Sequence, residues 1–147
     1  MTMTVSDIMK KKLETIEDTA SVRKTAEKMK ERNVSSLVVV DKNGKPKGLV
    51  TERDLVRKVC VNRLPTTEVI NKEIMSSPLI TIASDSSTSV AADTMLQHNV
   101  RHLLVVEKNN LDRPIGIVTP LDFTRYQEYT NVSEDKDAIE KILEYYI

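Results

Sequence analysis

Glycine is scarce in this chain, and its scarcity excludes two common kinds of nucleotide-binding loop. The 147 residues include only three glycines, Gly44, Gly48 and Gly116. Neither a G-x-G-x-x-G turn nor a Walker A loop can be built from glycines at these positions. Any bound nucleotide would therefore have to be held in another way.

Cysteine, aromatic residues, net charge and long apolar runs are also in short supply. The single cysteine, Cys60, excludes an intramolecular disulfide. One Phe and four Tyr offer no aromatic platform for nucleic acid, and a formal net charge of zero gives no field that attracts polyanions. The longest apolar run, Leu37 to Val40, is far shorter than the roughly 20 residues that span a bilayer, and the N-terminus lacks the apolar stretch of a secretory signal. We expect a cytoplasmic protein that binds neither nucleic acid nor membrane.

The chain contains an internal repeat. Ile8-Met9 matches Ile74-Met75 and Asn33-Val34 matches Asn99-Val100 at a constant offset of 66 residues. Further along, the offset becomes 68 because the second copy has two extra residues in a turn. Such self-similarity predicts two copies of one structural unit. The predicted segments are a first repeat over residues 1–61, a linker over 62–72, a second repeat over 73–128 and a C-terminal amphipathic helix over 129–147.

Apolar spacing predicts a strand and then a helix at the start of each copy. In the first copy, Leu13 to Ile16 is predicted to form a short strand. Val22, Ala26 and Met29 are three or four residues apart, with charged residues between them. This spacing predicts an amphipathic helix that buries one face and ends near Asn33.

Two paired strands and a second helix complete the copy. The branched run Leu37 to Val40 predicts a buried strand, and Asp41-Lys42-Asn43-Gly44 predicts a hairpin turn. A helix from about Glu52 to Val61 is predicted to bury one face, which contains Leu55, Val56 and Val59. These elements predict an α/β (α+β) fold of two repeats, each strand-helix-strand-strand-helix. Because a unit this small can barely bury a sheet face alone, we expect the two repeats to pack sheet to sheet with pseudo-two-fold symmetry.

One motif occurs in both copies where a strand meets the following helix. Residues 48–54 (GLVTERD) and 116–122 (GIVTPLD) share the pattern G-h-h-T-x-x-D, in which h is apolar. A Thr-x-x-Asp sequence at a helix start is also a capping box, so a purely structural role stays open. Together with the Ile-Met lead-ins and the N-V-x-x-L-x-V-V strands, the motif resembles the CBS-domain family over residues from about 5 to 128. The presence of two full copies makes the resemblance specific.

The resemblance implies a tandem pair of CBS domains, a Bateman module. Such modules regulate other proteins by binding AMP, ADP, ATP, S-adenosylmethionine or related ligands in clefts between the repeats, and they have no catalytic activity of their own. A carboxylate at a helix N-terminus repels phosphate but accepts hydrogen bonds from both hydroxyls of a ribose. Asp54 and Asp122 are therefore the expected ribose ligands.

The other expected ligand contacts lie in or near the motif. Hydroxyl and basic side chains are expected to contact phosphate or sugar at Thr51, Thr119, Arg53, Ser35, Arg101 and His102. The second copy has Arg101 where the first has Ser35, and Arg53 is replaced by Leu121, so the two clefts should differ in affinity. By resemblance, the base would lie among Leu49, Ile80 and Ile117, and backbone groups near Val34 and Val100 would contact its edge.

The histidines and the cysteine favour neither a metal site nor an active site. His98 and His102 are four residues apart, but the helix is predicted to end between them and no acidic partner lies at metal-binding spacing. Cys60 has no activating neighbour in the sequence, which favours a half-buried helix cysteine. We expect neither a catalytic nor a metal site.

The C-terminal segment is expected to form an amphipathic helix. Asn131-Val132-Ser133-Glu134 resembles a capping box, and Ile139, Ile142, Leu143 and Tyr146 follow at helical spacing. This helix could dock on its own chain or on a partner. We expect a homodimer and an unidentified regulated protein that is contacted in trans. The alternative is a constitutive interaction or scaffold protein that binds no ligand.

Overall fold

A computed structural model describes residues 3–77, 79–107, 110–125 and 133–146. In chain order the elements are α1 Val5–Ile8, β1 Thr15–Glu17, α2 Val22–Arg32, β2 Ser36–Val40, β3 Pro46–Thr51, α3 Glu52–Asp54 with a π-helical continuation Leu55–Cys60, α4 Asn71–Ile74, β4 Thr81–Ala83, α5 Thr88–His98, β5 Leu103–Glu107, β6 Asn110–Val118, α6 Pro120–Arg125 and α7 Ser133–Tyr146. Among the described residues, none of the helices combines the length and the apolar character needed to cross a membrane.

The chain divides into two compact units. We call Leu13–Leu79 the middle unit, and Met1–Lys12 together with Ile80–Ile147 the terminal unit. Each unit thus contains the sheet of one sequence repeat and the lead-in segment of the other repeat. The boundaries of the units differ in this way from those of the repeats.

The sheet of the middle unit has the order β1-β2-β3. β1 runs parallel to β2, and β2 is antiparallel to β3, as a crossover followed by a hairpin requires. The predicted hairpin turn is present, because Gly44 N–H donates to Asp41 O at 2.9 Å and Gly44 adopts a φ of 79°. The predicted first strand begins two residues later than expected, at Thr15. The core of the middle unit consists of Val22, Met29, Leu37, Val39, Val50, Val59 and Ile74.

The terminal unit repeats this arrangement with the sheet order β4-β5-β6. Its core includes α1, α5 and α6, and also three buried residues of α7, namely Ala138, Ile139 and Ile142. The C-terminal helix therefore docks on its own chain. The capping box predicted at residues 131–134 lies outside the described residues. The predicted α+β fold with strand-helix-strand-strand-helix in each repeat is confirmed.

Two predictions about buried helix faces were wrong. Val56 is 56% exposed, although it was expected to share a buried face with Leu55 and Val59. The segment is π-helical, with Val61 N–H donating to Val56 O at 3.1 Å, and this wider turn changes which side chains share a face. Ala26, expected in the core, is exposed on α2.

The stretch predicted to be a linker contacts the rest of the middle unit closely. Val22 N–H donates to Val69 O at 2.9 Å. Asn71 is fully buried, where its Oδ1 accepts from Thr25 Oγ1 at 2.6 Å and its Nδ2 donates to Glu17 O at 3.0 Å. Residues near 70 thus supply buried polar contacts that hold α2 and β1 together.

Candidate functional site

In the middle unit, the motif forms a corner between β3 and α3. Thr51 N–H donates to Asp54 Oδ2 at 2.9 Å, and Asp54 N–H donates in return to Thr51 Oγ1 at 3.2 Å. The Thr51 hydroxyl also lies 3.2 Å from Asp54 Oδ2. The corner is therefore a complete capping box, which satisfies backbone donors at the start of the helix.

The corner of the terminal unit repeats the contacts of the threonine to the carboxylate, although Asp122 N–H donates to the carbonyl oxygen of Thr119, at 3.0 Å, and not to its hydroxyl. Thr119 N–H donates to Asp122 Oδ2 at 2.8 Å, and the Thr119 hydroxyl donates to the same oxygen at 3.3 Å. Both acids are buried, Asp122 completely and Asp54 to within 9% exposure. Two buried carboxylates thus occupy equivalent positions in the two units.

Lys58 is a contact that the sequence reasoning missed. Its Nζ lies 3.1 Å from Asp54 Oδ1 and donates to Ile74 O at 2.8 Å. The signal was the spacing of four residues between acid and base, which places both on one side of a helix. The sequence has Tyr126 at the equivalent position of the second repeat, outside the described residues. The lysine that pairs with Asp54 therefore has no counterpart in the sequence of the second repeat.

The motif glycines lie against the chain itself. A Cβ atom added to Gly48 would be 2.7 Å from Ser76 O and 2.8 Å from Met75 Sδ. One added to Gly116 would be 2.5 Å from Met9 Sδ and 2.8 Å from Lys10 O. The space that the missing side chains leave is thus filled by the lead-in of the other sequence repeat.

The residues expected to contact the base are divided between the units. Leu49 and Ile117 are buried on β3 and β6, and Ile80 packs against the core of the terminal unit. Val34 and Val100 each follow a helix that ends in an asparagine with left-handed backbone conformation. Their N–H groups donate to Met29 O and Met95 O, at 3.0 Å in both cases, so these donors close helix ends.

Arg101, the expected phosphate ligand, contacts α7. It is exposed, its Nη2 donates to Tyr146 O at 3.2 Å, and its guanidinium lies 5.2 Å from the centroid of the Tyr146 ring. The Tyr146 hydroxyl lies 2.6 Å from Val100 O and 3.0 Å from Met95 O. Burial raises the pKa of this phenol above its usual 10.0; Tyr145 raises it further and Arg101 opposes the shift. The sequence predicted that Tyr146 faces inward but not that it contacts Arg101.

The remaining expected ligands lie at the same two corners. Ser35 and Arg53 are exposed, and Ser35 O accepts from Glu52 N–H at 3.0 Å, which places Ser35 beside the first motif. His102 is half-buried next to Arg101 in the chain. Of the expected ligands, the middle unit contains Val34, Ser35, Leu49, Thr51, Arg53 and Asp54, and the terminal unit contains Ile80, Val100, Arg101, His102, Ile117, Thr119 and Asp122.

Neither the histidines nor the cysteine form part of a metal-binding cluster in the described parts of the chain. No group of three His, Cys, Asp or Glu residues there could hold a metal ion. Cys60, expected to be half-buried, is exposed instead.

Comparison with known proteins establishes the family. The CBS domain family matches this chain twice, over residues 5–60 and 72–129, and the chain belongs to that family. An uncharacterised protein from Methanopyrus kandleri is 34% identical over 127 residues, which cover 86% of this chain and 64% of that protein. A CBS domain-containing protein from Bacillus subtilis is 34% identical over 115 residues, 78% of each chain. The match to a Methanocaldococcus jannaschii relative covers only 31% of that protein's length.

Solved structures of CBS domain proteins have the same fold. A CBS domain protein from Pyrobaculum aerophilum complexed with AMP is 26% identical, with a TM-score of 0.75 over 94% of this chain and 98% of that one. The CBS domain pair of protein MJ0100, in complex with 5′-methylthioadenosine and S-adenosyl-L-methionine, is 27% identical, with a TM-score of 0.75 over 88% and 98%. A hexameric CBS-CP12 protein from cyanobacteria is 25% identical, with a TM-score of 0.79 over 95% and 78%.

Proposed function

We propose that this chain is a non-catalytic regulatory module that binds an adenine nucleotide, or a related adenosyl ligand such as S-adenosylmethionine. The observation that supports this most directly is the duplicated strand-to-helix corner with its buried carboxylate. Members of the same family have been solved with AMP and with S-adenosyl-L-methionine. Ligand binding would act on a partner protein in trans through different affinities for the two states of the module.

The chemistry of the first corner is compatible with ribose binding. A carboxylate offers about four acceptor positions. Among the described contacts, Asp54 Oδ2 accepts from Thr51 N–H and lies close to its hydroxyl, and Asp54 Oδ1 pairs with Lys58. This leaves Oδ1 with capacity for a sugar hydroxyl. Asp54 can therefore cap its helix and bind ribose at the same time.

The two corners are expected to differ in affinity. Arg53 belongs only to the first motif, whereas Arg101 and His102 are basic groups of the second repeat alone. Lys58 compensates the charge of Asp54. Because Lys58 is engaged by Asp54, one further basic side chain remains at the first corner and two remain at the second, and phosphate contacts favour the corner with more basic groups. We propose that Arg101 and His102 make the second corner the stronger phosphate site, with Thr119 as a further donor.

A constitutive interaction or scaffold module is the second candidate, and specific contacts favour it. In each motif the threonine and the aspartate already bond to each other at the start of a helix, and Arg101 already contacts Tyr146. On this alternative the motif would only stabilise helix starts, and no nucleotide would bind. Titration separates the two candidates.

Isothermal titration calorimetry of the full chain with AMP, ATP and S-adenosylmethionine tests the proposal. We expect Asp54→Ala and Asp122→Ala each to weaken ligand binding at their own corner by about tenfold or more, since hydrogen bonds to charged groups contribute roughly 1.5–3 kcal/mol. If neither variant changes the affinity, the site assignment is wrong. If the wild-type chain binds none of the three, the scaffold alternative stands.

Asp7→Ala is the matched control for these variants. Thr4 and Asp7 form the same type of box at the start of α1, with Thr4 N–H donating to Asp7 Oδ2 at 2.8 Å. Removing any of these caps should cost about 1 kcal/mol of stability. Only the two motif acids should also affect ligand binding, so the control separates loss of a cap from loss of a ligand contact.

The homodimer expected from the family resemblance stays a proposal. One of its supports was an uncovered α7, and that helix is covered by its own chain. The remaining support is the hexameric relative, which belongs to the same family. Sedimentation of the full chain tests it directly.

A further inference from the structure

An apolar groove lies open on the middle unit. It has a volume of about 350 Å³ between α2 and the π-helical segment, and its floor consists of Val22, Ala26, Leu55 and Val59. We call it the α2 groove. Ala26 is exposed there, as is Cys60 at its edge. The groove is therefore a place where an apolar side chain of another element could be buried.

The equivalent surface of the terminal unit is covered by α7. Ala92, which matches Ala26 at the offset of 66 residues, is 0% exposed. Phe123, which matches Leu55 at the offset of 68, is 2% exposed. Both belong to one core with Ala138, Ile139 and Ile142 of α7. The second repeat therefore provides a template for what the α2 groove of the first repeat can bind.

An acidic partner of α7 is repeated in the α2 groove. Lys141 of α7 pairs with Asp93 of α5 at 3.3 Å. Glu27 occupies the matching position on α2 and lines the groove. Its present partner is Arg23, at 2.9 Å, in a pair whose side chains are both about 60% exposed. Exposed pairs contribute little, so Glu27 can exchange Arg23 for a basic group of a bound helix.

The asparagine that α7 contacts is repeated as well. Tyr145 OH donates to Asn99 Oδ1 at 2.8 Å. Asn33 matches Asn99, and the two have nearly the same left-handed backbone, with φ values of 53° and 52°. A helix that packs on α2 as α7 packs on α5 would therefore meet an asparagine side chain at the C-terminal end of α2.

Charge favours an acidic helix in the α2 groove. Residues 133–147, which include α7, contain five acidic and two basic side chains. α2 has the reverse balance, with five basic and two acidic residues. Two of these basic residues, Arg23 and Lys30, line the groove and stand where the second repeat has Ser89 and Leu96. Complementary charge steers association and selects among partners.

We infer that the α2 groove is a docking site for an acidic amphipathic helix of a partner protein, with chemistry like that of α7. The chain's own α7 is already placed on the terminal unit. Exchange of α7 with a second copy would leave the α5 surface uncovered, so it would bury little additional apolar area. A helix from another protein meets no such cost. This inference is independent of nucleotide binding.

A labelled synthetic peptide with the sequence of residues 131–147 is the probe for this site. It is added to the full chain, whose own α7 is retained, and binding is followed by fluorescence anisotropy without nucleotide. We expect saturable binding that weakens by about tenfold or more in Ala26→Glu, because the substitution fills the groove and repels an acidic helix. Ala26 is exposed, so the variant should fold.

Lys24→Ala is the matched control, because it makes the same change in net charge on the exposed part of α2 outside the α2 groove. It should leave peptide binding nearly unchanged. The single cysteine gives a second readout, since Cys60 lines the groove and a bound peptide should slow its alkylation by a maleimide.

Three outcomes would overturn the inference. The first is that the wild-type chain binds no peptide. The second is that Ala26→Glu binds the peptide as tightly as wild type, which would place the peptide elsewhere. The third is that no peptide binds and sedimentation shows a wild-type dimer that Ala26→Glu dissociates. The groove would then be an interface between two copies of this chain.

Discussion

The missing side chain of Gly116 allows the lead-in of the first repeat to lie directly on β6. Lys10 N–H donates to Ile117 O at 2.9 Å, and Ile117 N–H donates to Lys10 O at 3.0 Å. Met9 packs against the same glycine. At this position the backbone itself is the packing surface, and the same holds at Gly48 with Met75 and Ser76.

Gly116→Ala should therefore destabilise the terminal unit. The new Cβ would be 2.8 Å from Lys10 O, a backbone atom that cannot retreat without breaking the hydrogen bonds to Ile117. Overpacking of this kind costs about 1–3 kcal/mol. The measurement is urea unfolding, with Arg113→Ala on the exposed side of β6 as the control, which should change stability by less than about 0.5 kcal/mol. Equal unfolding midpoints for Gly116→Ala and wild type would contradict the close approach.

Local chemistry predicted part of the candidate site from the sequence. A threonine and an aspartate three residues apart identify a helix start, and in both motifs the threonine N–H donates to the aspartate carboxylate. The role of the glycines was predicted only in outline, because the segment that packs on Gly116 comes from the other end of the chain. A repeat pattern locates equivalent residues, but it does not reveal which copy's lead-in pairs with which sheet.

At the scale of elements, α7 illustrates what a hydrophobic pattern can and cannot predict. The spacing of Ile139 and Ile142 correctly predicts that one face is buried. Amphipathicity states only that a face must be covered and does not identify the cover. The structure shows that the cover is α5 and α6. Ala26 illustrates the converse, since the same periodicity placed it in a core although no described element covers it.

Tyr146→Phe tests how α7 is held. The substitution keeps the ring beside Arg101 but removes the hydroxyl that lies 2.6 Å from Val100 O. We expect a loss of about 1 kcal/mol in unfolding free energy at neutral pH, measured with urea. Because the folded-state pKa of Tyr146 is raised above 10.0, its contribution is fully present below pH 10 and is lost as the pH rises through the folded-state value. The difference between wild type and variant should therefore shrink at high pH.

Tyr145→Phe is the control for this prediction. It also removes one tyrosine hydroxyl, but from a side chain that is 56% exposed and bonded to an exposed asparagine. Its effect should be smaller, because an exposed hydrogen bond contributes less than one to a part-buried carbonyl. If both variants lose the same stability, the carbonyl contacts of Tyr146 do not hold the helix.

At the scale of the whole molecule, two similar units differ in what surrounds them. The helical face of the terminal unit is covered by α7, whereas the α2 groove of the middle unit is open. Arg101 has no counterpart in the first repeat, where Ser35 stands. The contact between Arg101 and Tyr146 joins the expected phosphate ligand to the helix that covers the unit. The two equivalent corners thus differ in the contacts that surround them.

This contact predicts that α7 docking and phosphate binding oppose each other. If Arg101 binds phosphate, it must give up at least part of its contact with Tyr146, and an exposed cation–π contact contributes about 0.5–1 kcal/mol. Tyr146→Ala should then raise the affinity for AMP by about twofold to fivefold. By reciprocity, AMP should loosen α7 in the wild-type chain. Calorimetry with AMP and with adenosine measures the effect.

Adenosine and Lys141→Ala separate the possible causes of such a change. Adenosine has no phosphate, so its affinity should be the same for wild type and Tyr146→Ala. Lys141→Ala removes only the exposed pair with Asp93, so α7 should stay docked with the Arg101–Tyr146 contact in place, and the affinity for AMP should be unchanged. A gain for both ligands would mean that loss of Tyr146 opens the corner as a whole. No gain for AMP would mean that Arg101 does not reach phosphate, because releasing a true phosphate ligand from a competing contact must strengthen binding.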